Sequence, residues 1–315
     1  MKSYAGFLTV NKTYNSNLFF WFFPAQIQPE DAPVVLWLQG GPGGSSMFGL
    51  FVEHGPYVVT SNMTLRDRDF PWTTTLSMLY IDNPVGTGFS FTDDTHGYAV
   101  NEDDVARDLY SALIQFFQIF PEYKNNDFYV TGESYAGKYV PAIAHLIHSL
   151  NPVREVKINL NGIAIGDGYS DPESIIGGYA EFLYQIGLLD EKQKKYFQKQ
   201  CHECIEHIRK QNWFEAFEVL IYNGQLDIIV AAALTERSLM GMDWKGSQEY
   251  KKAEKKVWKI FKSDSEVAGY IRQAGDFHQV IIRGGGHILP YDQPLRAFDM
   301  INRFIYGKGW DPYVG

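Results

Sequence analysis

The stretch Asp127-Phe-Tyr-Val-Thr-Gly-Glu-Ser-Tyr-Ala-Gly137 decides the fold, because it joins a short apolar run to the start of a helical pattern. Residues 128–130 are aromatic and β-branched, which is typical of a strand. Apolar residues then recur at helical spacing over 140–150. The sequence therefore predicts a strand that turns sharply into a helix at Ser134.

Small residues flank Ser134, as a tight turn requires where larger side chains would clash. Gly132 lies two positions before the serine, and Ala136 takes the second glycine position of the nucleophile-elbow pattern G-x-S-x-G. Such a turn lifts the hydroxyl clear of the sheet at the positive end of a helix, where a developing anion is favoured. Taken alone, this stretch fits a nucleophilic serine and a serine that only caps the helix equally well.

Size and composition indicate a globular protein with a large core. The chain has 315 residues, of which 45% are hydrophobic and 16% aromatic, and its formal net charge is -9. This length suits one large α/β domain or two smaller ones. The negative charge argues against a nucleic-acid partner, and no apolar run is long enough to predict a membrane span.

Several short patterns bear on the compartment. Residues 3–10 have a strand-like pattern, not that of a signal peptide. Asn11-Lys-Thr and Asn62-Met-Thr are glycosylation sequons in polar stretches. The only two cysteines lie in Cys201-His-Glu-Cys204, which fits a local disulfide, a redox pair or half of a zinc site. Because no second cysteine pair completes zinc, we predict a Cys201–Cys204 disulfide and no metal.

Strand and helix patterns alternate along the chain, which implies a mostly parallel sheet. Loops at the carboxyl ends of parallel strands gather at one edge, where α/β proteins bind ligands. Residues 251–262 alternate basic and apolar side chains and predict a solvated amphipathic surface. Strands are predicted at 4–10, 18–23, 33–38, 78–81, 128–130, 156–165, 219–222, 267–272 and 277–283, and helices at 101–119, 138–150, 229–239 and 294–306.

The pattern over 171–218 is helical and charged, without a strand signal. We expect this segment to form a cap above the sheet, between a first core segment, 1–170, and a second, 219–315. The helix-like residues before 219 meet the strand with no glycine, proline or asparagine between them, although helices normally stop before strands start. This abrupt junction predicts that a segment is missing there.

Three loops, each after an apolar strand, carry Ser134, Asp227 and His287 in the order nucleophile, acid, histidine. That order is the one α/β-hydrolases use. His145 and His148 lie beyond the first turn of the elbow helix and should point away from the serine. The three glycines before His287 let its loop reach towards a neighbour, so the joint pattern favours a catalytic triad.

Six blocks of sequence resemble the serine carboxypeptidase family and cover nearly everything outside the cap. The resemblance implies the α/β-hydrolase fold, an α/β class with a central mostly parallel sheet, helices on both faces and a reduced helical cap. The blocks are Gln-Gly-Gly-Pro-Gly-Gly-Ser-Ser at 39–46, Asp-Asn-Pro-Val-Gly-Thr-Gly-Phe-Ser at 82–90, Gly-Glu-Ser-Tyr-Ala-Gly at 132–137, Gly-Asp-Gly-Tyr-Ser-Asp-Pro at 166–172, Tyr-Asn-Gly-Gln-Leu-Asp at 222–227 and Gly-Gly-Gly-His-Ile-Leu-Pro-Tyr-Asp-Gln-Pro at 284–294.

The resemblance also implies an activity and the residues that carry it. The implied protein is a secretory-pathway glycoprotein, lysosomal or secreted, that removes C-terminal residues from peptides at acidic pH through an acyl-enzyme. No cofactor is implied, and a homodimer is left open. Ser134, Asp227 and His287 would be the triad, and the N–H groups of Gly41 and Tyr135 would hold the oxyanion. The free carboxylate of the substrate would be recognised by Gln39, Gly40, Glu53 and Glu133.

The chain departs from the family pattern at four places. Gln39, Gly44 and Asp167 stand where the family usually has Asn, Cys and Asn, and Ser134 is separated from Asp227 by far fewer residues. The short separation predicts a weakened S1 wall and reduced stability. Two alternatives stay open: an acyltransferase or esterase on the same triad, and an inactive shortened form that acts as a binding or protective partner.

Overall fold

The computed structural model describes residues 1–208, 218–242, 244 and 246–314. In this part of the chain most strands join one ten-stranded sheet, while two short strands form a separate hairpin. The strands are β1 (Tyr4–Asn11), β2 (Ser16–Phe23), β3 (Val34–Leu38), β4 (Tyr57–Val59), β5 (Leu65–Asp67), β6 (Ser77–Ile81), β7 (Phe128–Glu133), β8 (Leu160–Gly166), β9 (Glu218–Gly224), β10 (Lys256–Trp258), β11 (Gly269–Ala274) and β12 (Phe277–Ile282).

Six strands precede the first α-helix, the first two helices then alternate with β7 and β8, and the later helices come in consecutive pairs. The helices are α1 (Glu102–Ile119), α2 (Ala136–Leu150), α3 (Pro172–Gln185), α4 (Glu191–Ile208), α5 (Ala232–Gly241), α6 (Ser247–Lys252), α7 (Leu289–Asp292) and α8 (Pro294–Ile305). No helix in the described ranges is both long enough and apolar enough to span a membrane.

The sheet has the order β1-β2-β6-β3-β7-β8-β9-β12-β11-β10. The six strands from β6 to β12 in this order pair in parallel, and antiparallel pairs occupy both ends. The predicted mostly parallel sheet is confirmed. Its parallel centre brings the loops after β3, β7, β8, β9 and β12 to one edge.

Helices cover both faces of the sheet, so the central strands are buried on each side. Every residue of β3 is buried. Its side chains alternate between two cores: Leu36 packs with residues of α1 and α2, whereas Trp37 packs with residues of α8 on the opposite face. The continuous apolar run of this strand is therefore explained by burial on two faces.

Some element boundaries differ from the predictions. β8 begins at Leu160, not at 156, because the side chain of Asn151 holds the preceding connection as a loop through bonds to the carbonyl and N–H of Ile158 at 2.8 and 3.1 Å. The surface predicted at 251–262 contains the edge strand β10, which pairs with β11 and buries Trp258. The sequence of the β4–β5 hairpin has no strand-like pattern, so it is not distinguished from a loop.

Two helices, α3 and α4, occupy most of the predicted cap and pack against each other. α3 also lies against α5, where a methyl added at Gly178 would lie 2.4 Å from Leu234. β9 begins at Glu218, one residue before the predicted start of the second core segment. Residues 209–217, which include most of the predicted abrupt junction, are outside the described residues, so the division into core, cap and core stays a prediction.

Candidate active site

The turn at Ser134 holds the serine in a backbone conformation that most residues avoid. Ser134 lies between β7 and α2 with a φ of 57°, in the left-handed region. Its N–H donates to the carbonyl of Gly166 at 2.9 Å, and its own carbonyl accepts the N–H groups of Gly137 at 2.9 Å and Tyr169 at 2.8 Å. These bonds maintain a strained conformation of the kind that clusters at functional sites.

Small residues are required around this turn because strand and helix come very close. A methyl added at Gly132 would lie 2.4 Å from the carbonyl oxygen of Leu38 and 2.7 Å from the Cβ of Ala136. Ala136, in place of the second elbow glycine, is fully buried within the first turn of α2. The alanine therefore fits the elbow, because the position it occupies is helical and needs no positive φ.

The loops after β9 and β12 bring a carboxylate against an imidazole. His287 Nδ1 lies 2.8 Å from Asp227 Oδ2. Asp227 Oδ1 accepts the N–H groups of Ile229 at 2.7 Å and Val230 at 3.0 Å. The Asp227 side chain has no exposed surface, and that of His287 is 16% exposed. The imidazole is thus oriented through Nδ1, which leaves Nε2 for proton transfer.

Glycine lines the contact between these two loops. A methyl added at Gly224 would lie 2.1 Å from the carbonyl oxygen of Gly286 and 2.5 Å from that of Gly285. The N–H of Leu226 donates to the Gly285 carbonyl at 2.8 Å. The glycine run before His287 therefore permits direct backbone contact between the loop of the acid and the loop of the base.

The acid and the base shift each other's pKa. Burial by itself raises the pKa of Asp227, but the hydrogen bond and charge of His287 outweigh it, so the pKa is lowered. Burial by itself lowers the pKa of His287, but the hydrogen bond and charge of Asp227, together with the charge of Glu133, outweigh it, so the pKa is raised. The pair therefore stabilises an imidazolium, the state that forms when the ring takes a proton from a nucleophile.

Ser134 and His287, both among the described residues, make no hydrogen bond to each other in this structure. Their loops nevertheless share the same edge of the sheet, and the charge of Glu133, the residue before the serine, acts on the ring of His287. Hydrogen bonds of catalytic hydroxyl groups are often long or poorly aligned before substrate binds.

The glycine loop after β3 lies directly against the elbow. A methyl added at Gly40 would lie 2.6 Å from the nitrogen of Tyr135 and 2.8 Å from the Cβ of Ser134. Gly41 follows with a φ of 124°, and the N–H of Gly44 donates to the Gly40 carbonyl at 2.8 Å, which closes the turn. This arrangement can present the N–H groups of Gly41 and Tyr135 to an oxyanion formed at the serine.

Replacing Gly40 by alanine is expected to lower kcat by about 10²–10³, the range for losing one oxyanion donor. The new methyl would force the glycine loop away from Tyr135 and separate the two N–H groups. Steady-state kinetics with a peptide substrate would measure the effect. Gly241→Ala is the matched control, because a methyl there meets no atom of the described residues within 4 Å. A Gly40→Ala enzyme with the same kcat as the Gly241→Ala enzyme would contradict this placement of the oxyanion hole.

A cluster of buried acids lies beside the nucleophile. Gln39 Nε2 donates to Glu133 Oε1 at 2.7 Å, and Gln39 Oε1 accepts the indole N–H of Trp37 at 2.9 Å. Glu53 interacts with both Glu133 and Gln39, and the exposed fractions of Glu53 and Glu133 are 1% each. Gln39 is thus oriented by two bonds and retains one amide N–H for a ligand.

The two acids cannot both be ionised in this setting. Burial raises the pKa of Glu53 to about 7, although the nearby side chains of Glu133 and Gln39 and the charge of Arg68 lower it in part. Burial and the charge of Glu53 raise the pKa of Glu133 well above its usual value. Among the described residues no N–H or O–H donor reaches the Glu53 oxygens. A proton held between the two carboxyl groups would satisfy these oxygens.

One contributor to this cluster, Arg68, was not predicted from the sequence. Its guanidinium donates to the carbonyl groups of Phe51 at 2.6 Å, Val52 at 3.1 Å and Gly55 at 2.9 Å. These carbonyls belong to the π-helical turn Gly49–Glu53 and the residues just after it. Arg68 therefore holds the segment that positions Glu53. No local pattern signals such a contact, because it joins a loop residue to backbone atoms.

The other predicted site residues lie away from this edge. Asn62 is exposed in the turn between β4 and β5, and Asn11 is partly exposed at the end of β1. Cys201 is buried on α4. The Cys204 side chain is outside the described side chains, so the Cys201–Cys204 disulfide stays a prediction.

One group of side chains in the described ranges has metal-ligand spacing. It consists of Asp167, Asp227 and His287, whose ligand atoms lie within 4.8 Å of one another. Two of the three residues are joined by the hydrogen bond between acid and base. Asp167 was noted from the sequence only as a departure from a family pattern, and its position behind Asp227 was not predicted.

These features define a class of protein. The parallel sheet, the strained serine between strand and helix, and the chain order of serine, aspartate and histidine are those of serine hydrolases with the α/β-hydrolase fold. A protein-family model described as serine carboxypeptidase matches residues 1–215 and 205–307. The chain belongs to the serine carboxypeptidase family, as its sequence blocks predict.

Curated relatives agree with this assignment. The chain is 78% identical to the human protein named probable serine carboxypeptidase CPVL, over 406 residues that cover 100% of this chain and 85% of the relative. It is 42% identical to a venom serine carboxypeptidase of Apis mellifera, with 98% of this chain and 85% of the relative covered. It is 36% identical to a vitellogenic carboxypeptidase of Aedes aegypti, with 97% and 84% covered.

Solved structures support the fold. The crystal structure of Kex1Δp, a prohormone-processing carboxypeptidase from Saccharomyces cerevisiae, matches with a TM-score of 0.86 at 20% identity, covering 97% of this chain and 91% of that one. A proline iminopeptidase-related protein from Thermus thermophilus matches with a TM-score of 0.54 at 11% identity, covering 97% and 98%. At these identities the likeness concerns the fold alone.

The comparisons also bear on the abrupt junction. The alignment with the human relative runs over 406 residues, which exceeds the 315 residues of this chain, so the relative carries residues with no counterpart here. The family model matches in two stretches that meet at 205–215, next to the start of β9. Both findings agree with the prediction that a segment is missing at this point.

Proposed function

We propose that this chain is a serine carboxypeptidase that hydrolyses the last peptide bond of peptides and proteins through an acyl-enzyme, with Ser134, Asp227 and His287 as its triad. The observation that carries the proposal is the buried carboxyl pair Glu53 and Glu133 directly beside the nucleophile. A serine hydrolase needs no such pair for ester or internal amide bonds. A protonated carboxyl pair can donate to a substrate carboxylate, and every free C-terminus supplies one next to the last peptide bond.

Catalysis would follow from the geometry in two halves. The Ser134 hydroxyl attacks the carbonyl carbon of the last peptide bond while His287 Nε2 takes its proton, and Asp227 stabilises the imidazolium. The N–H groups of Gly41 and Tyr135 hold the oxyanion. His287 then gives the proton to the leaving amine as the C–N bond breaks. Water, activated by the same ring, attacks the acyl-enzyme and restores the serine hydroxyl.

Recognition of the substrate carboxylate would use the cluster beneath the serine. The free amide N–H of Gln39 and the proton shared by Glu53 and Glu133 are donors available to the carboxylate, and the backbone at Gly40 passes next to them. An ionised substrate carboxylate would be repelled if both acids were ionised. Binding is therefore strongest when the carboxyl pair is neutral.

This preference predicts how KM depends on pH. Glu133, whose pKa is raised well above its usual value, keeps its proton as the pH increases. Below pH about 7 Glu53 is protonated as well and the pair is neutral, whereas above that value the two acids share one proton and the pair carries one negative charge. We expect KM for a peptide with a free carboxylate to rise as the pH increases through about 7. On the acid side, the raised pKa of His287 limits kcat, because a protonated ring cannot act as the base.

Replacing Glu53 by glutamine is the test of this dependence. The amide stays neutral at every pH, so KM should remain nearly constant across the range in which the wild-type value rises. KM measured at several pH values for both enzymes would decide it. Glu266→Gln is the control, because the Glu266 side chain is 60% exposed. The same upward slope in the Glu53→Gln enzyme would rule out Glu53 as the titrating group.

The activity itself is tested by incubating the protein with a mixed pool of peptides from about pH 4 to about pH 8 and identifying released amino acids. Free C-terminal amino acids should appear singly, with a yield that falls as the pH increases through about 7 and the carboxyl pair gains a negative charge. Internal cleavage products, or release only from esters, would favour the acyltransferase or esterase alternative. No reaction by folded protein would favour an inactive shortened form.

A place in the secretory pathway, lysosomal or secreted, belongs to the same proposal. The sequon residues Asn11 and Asn62 are partly or fully accessible for a glycan, and one relative of Apis mellifera is named a venom protein. Peptide or protein C-termini are the proposed partners. A homodimer remains a prediction without further support.

A further inference from the structure

A second carboxyl group lies behind the acid of the triad. Asp167 follows β8, is fully buried and has a φ of 44°. Its N–H donates to the carbonyl of Tyr222 at 2.8 Å. Its Oδ1 accepts the N–H of Gly224 at 3.0 Å and the amide of Asn223 at 3.3 Å. The side chain is therefore held in one orientation from the neighbouring strand β9.

The other oxygen of this side chain, Oδ2, is the unusual one. It is buried, and among the described residues no N–H or O–H donor reaches it. The side chain faces Asp227, whose own oxygens accept two backbone N–H groups and the bond with His287. A buried carboxylate oxygen without a donor is costly, whereas a carboxylic acid O–H at that position would have a ready acceptor in Asp227.

We propose that Asp167 carries a proton and donates it in an O–H···O hydrogen bond to Asp227, so that it is a positioning residue for the triad. This inference deepens the proposed function and rests on it. The proton belongs on Asp167, because Asp227 has the donors that stabilise an anion, whereas the described part of the chain offers none to Asp167 Oδ2. The bond would fix the plane of the Asp227 carboxylate and therefore the orientation of the His287 ring.

The electrostatic surroundings agree with this assignment. The titratable groups that face Asp167 are Asp227, Glu133, Tyr222 and His287, of which only His287 can be positively charged. The pKa of Asp167 is raised well above its usual value, first by burial and then by the charge of Asp227, the hydrogen bond to Asp227 and the charge of Glu133. Asp167 would thus stay neutral in the acidic range and lose its proton only as the pH rises.

Two substitutions of Asp167, by asparagine and by leucine, test whether its side chain donates a hydrogen bond to Asp227. In Asp167→Asn, Oδ1 keeps its bonds to Gly224 and Asn223, and the amide Nδ2 donates to Asp227 without titrating. This enzyme should keep kcat/KM within a few-fold of wild type at acidic pH. At alkaline pH it should lose less activity than wild type. In wild type the Asp167 carboxyl group then loses its proton, so it can no longer donate to Asp227 and it repels the Asp227 carboxylate. Asp167→Leu removes the donor and should lower kcat by about tenfold to a hundredfold, the range for a hydrogen bond to a charged group.

Two further readouts keep the test decisive. A folded carboxyl with a raised pKa contributes stability that is lost as the pH rises, so the melting temperature of Asp167→Asn should fall less at alkaline pH than that of wild type. The infrared band of a neutral carboxylic acid should lose intensity in Asp167→Asn. The proposal would be overturned if Asp167→Asn lost as much activity at alkaline pH as wild type, or if Asp167→Leu had an unchanged kcat. Failure of the proposed function would instead appear as wild-type protein that no fluorophosphonate labels.

Discussion

A Ser134→Ala protein is expected to show no covalent labelling by a fluorophosphonate and to lose peptidase activity by on the order of a millionfold. The reason is that the elbow presents one hydroxyl beside a base that an aspartate orients. A methyl group in its place removes the atom that forms the acyl-enzyme, while the strained turn and its three backbone bonds can remain. In-gel fluorescence after labelling would measure the change directly.

The matched control for this experiment is Ser170→Ala. Ser170 lies close to the same turn, since a methyl added at Gly137 would lie 2.7 Å from its Oγ. The Ser170→Ala protein should label as strongly as wild type, because it keeps the hydroxyl of Ser134 on the elbow. If Ser134→Ala kept the label and Ser170→Ala lost it, the nucleophile would be Ser170 and the assignment of Ser134 would be wrong.

An Asp227→Asn protein is expected to lose about 10⁴ in kcat, the cost of placing the histidine in the wrong tautomer. Asparagine has nearly the shape of aspartate, so the loop can keep its place. In wild type one oxygen of Asp227 accepts two backbone N–H groups and the other oxygen accepts the hydrogen bond from His287 Nδ1. The asparagine side chain has only one acceptor oxygen, so it cannot replace both. Single-turnover acylation rates would measure the loss.

Asp276→Asn serves as the control for that substitution. Asp276 is an exposed carboxylate in the turn between β11 and β12, at the end of the sheet opposite His287. It should leave acylation unchanged. Equal rates for Asp227→Asn and wild type would mean that the close contact between Asp227 and His287 has no catalytic role.

The parts of the fold that were predictable from the sequence have local causes. β3 and β7 are apolar runs that end in glycine-rich turns, so their positions and the loops that follow them can be read from composition alone. Because the strands are parallel, placing each loop after a strand also places it at the active edge. This is why Ser134, Asp227 and His287 could be brought together before any coordinates.

The parts that were missed depend on contacts between distant segments. β10 was interpreted as a solvated surface, because as an edge strand it has one partner and buries Trp258 while Lys256 and Val257 are exposed. The bonds of Arg68 to the turn before Glu53, and the position of Asp167 behind Asp227, join residues with no shared local pattern. Such contacts also determine which buried carboxyl groups are protonated. Only the protonation of the Glu53 and Glu133 pair was predictable, because the family resemblance named both acids.

The predicted loss of a segment is accompanied by exposed aliphatic side chains at the active edge. Leu226, Ile228 and Ile229, which surround Asp227, have exposed fractions of 66%, 53% and 55%. Exposed aliphatic groups beside a site are surfaces on which other protein or substrate packs. They fit the predicted weakened S1 wall, which would lower affinity for the residue before the cleaved bond without changing the triad itself.

The central claim, that buried protonated acids beside the nucleophile select a chain end, is tested most directly by two peptides that differ only in a free or amidated C-terminus. At acidic pH the account predicts release of the last amino acid from the free peptide and none from the amidated one. Equal rates of cleavage for the two peptides would contradict it.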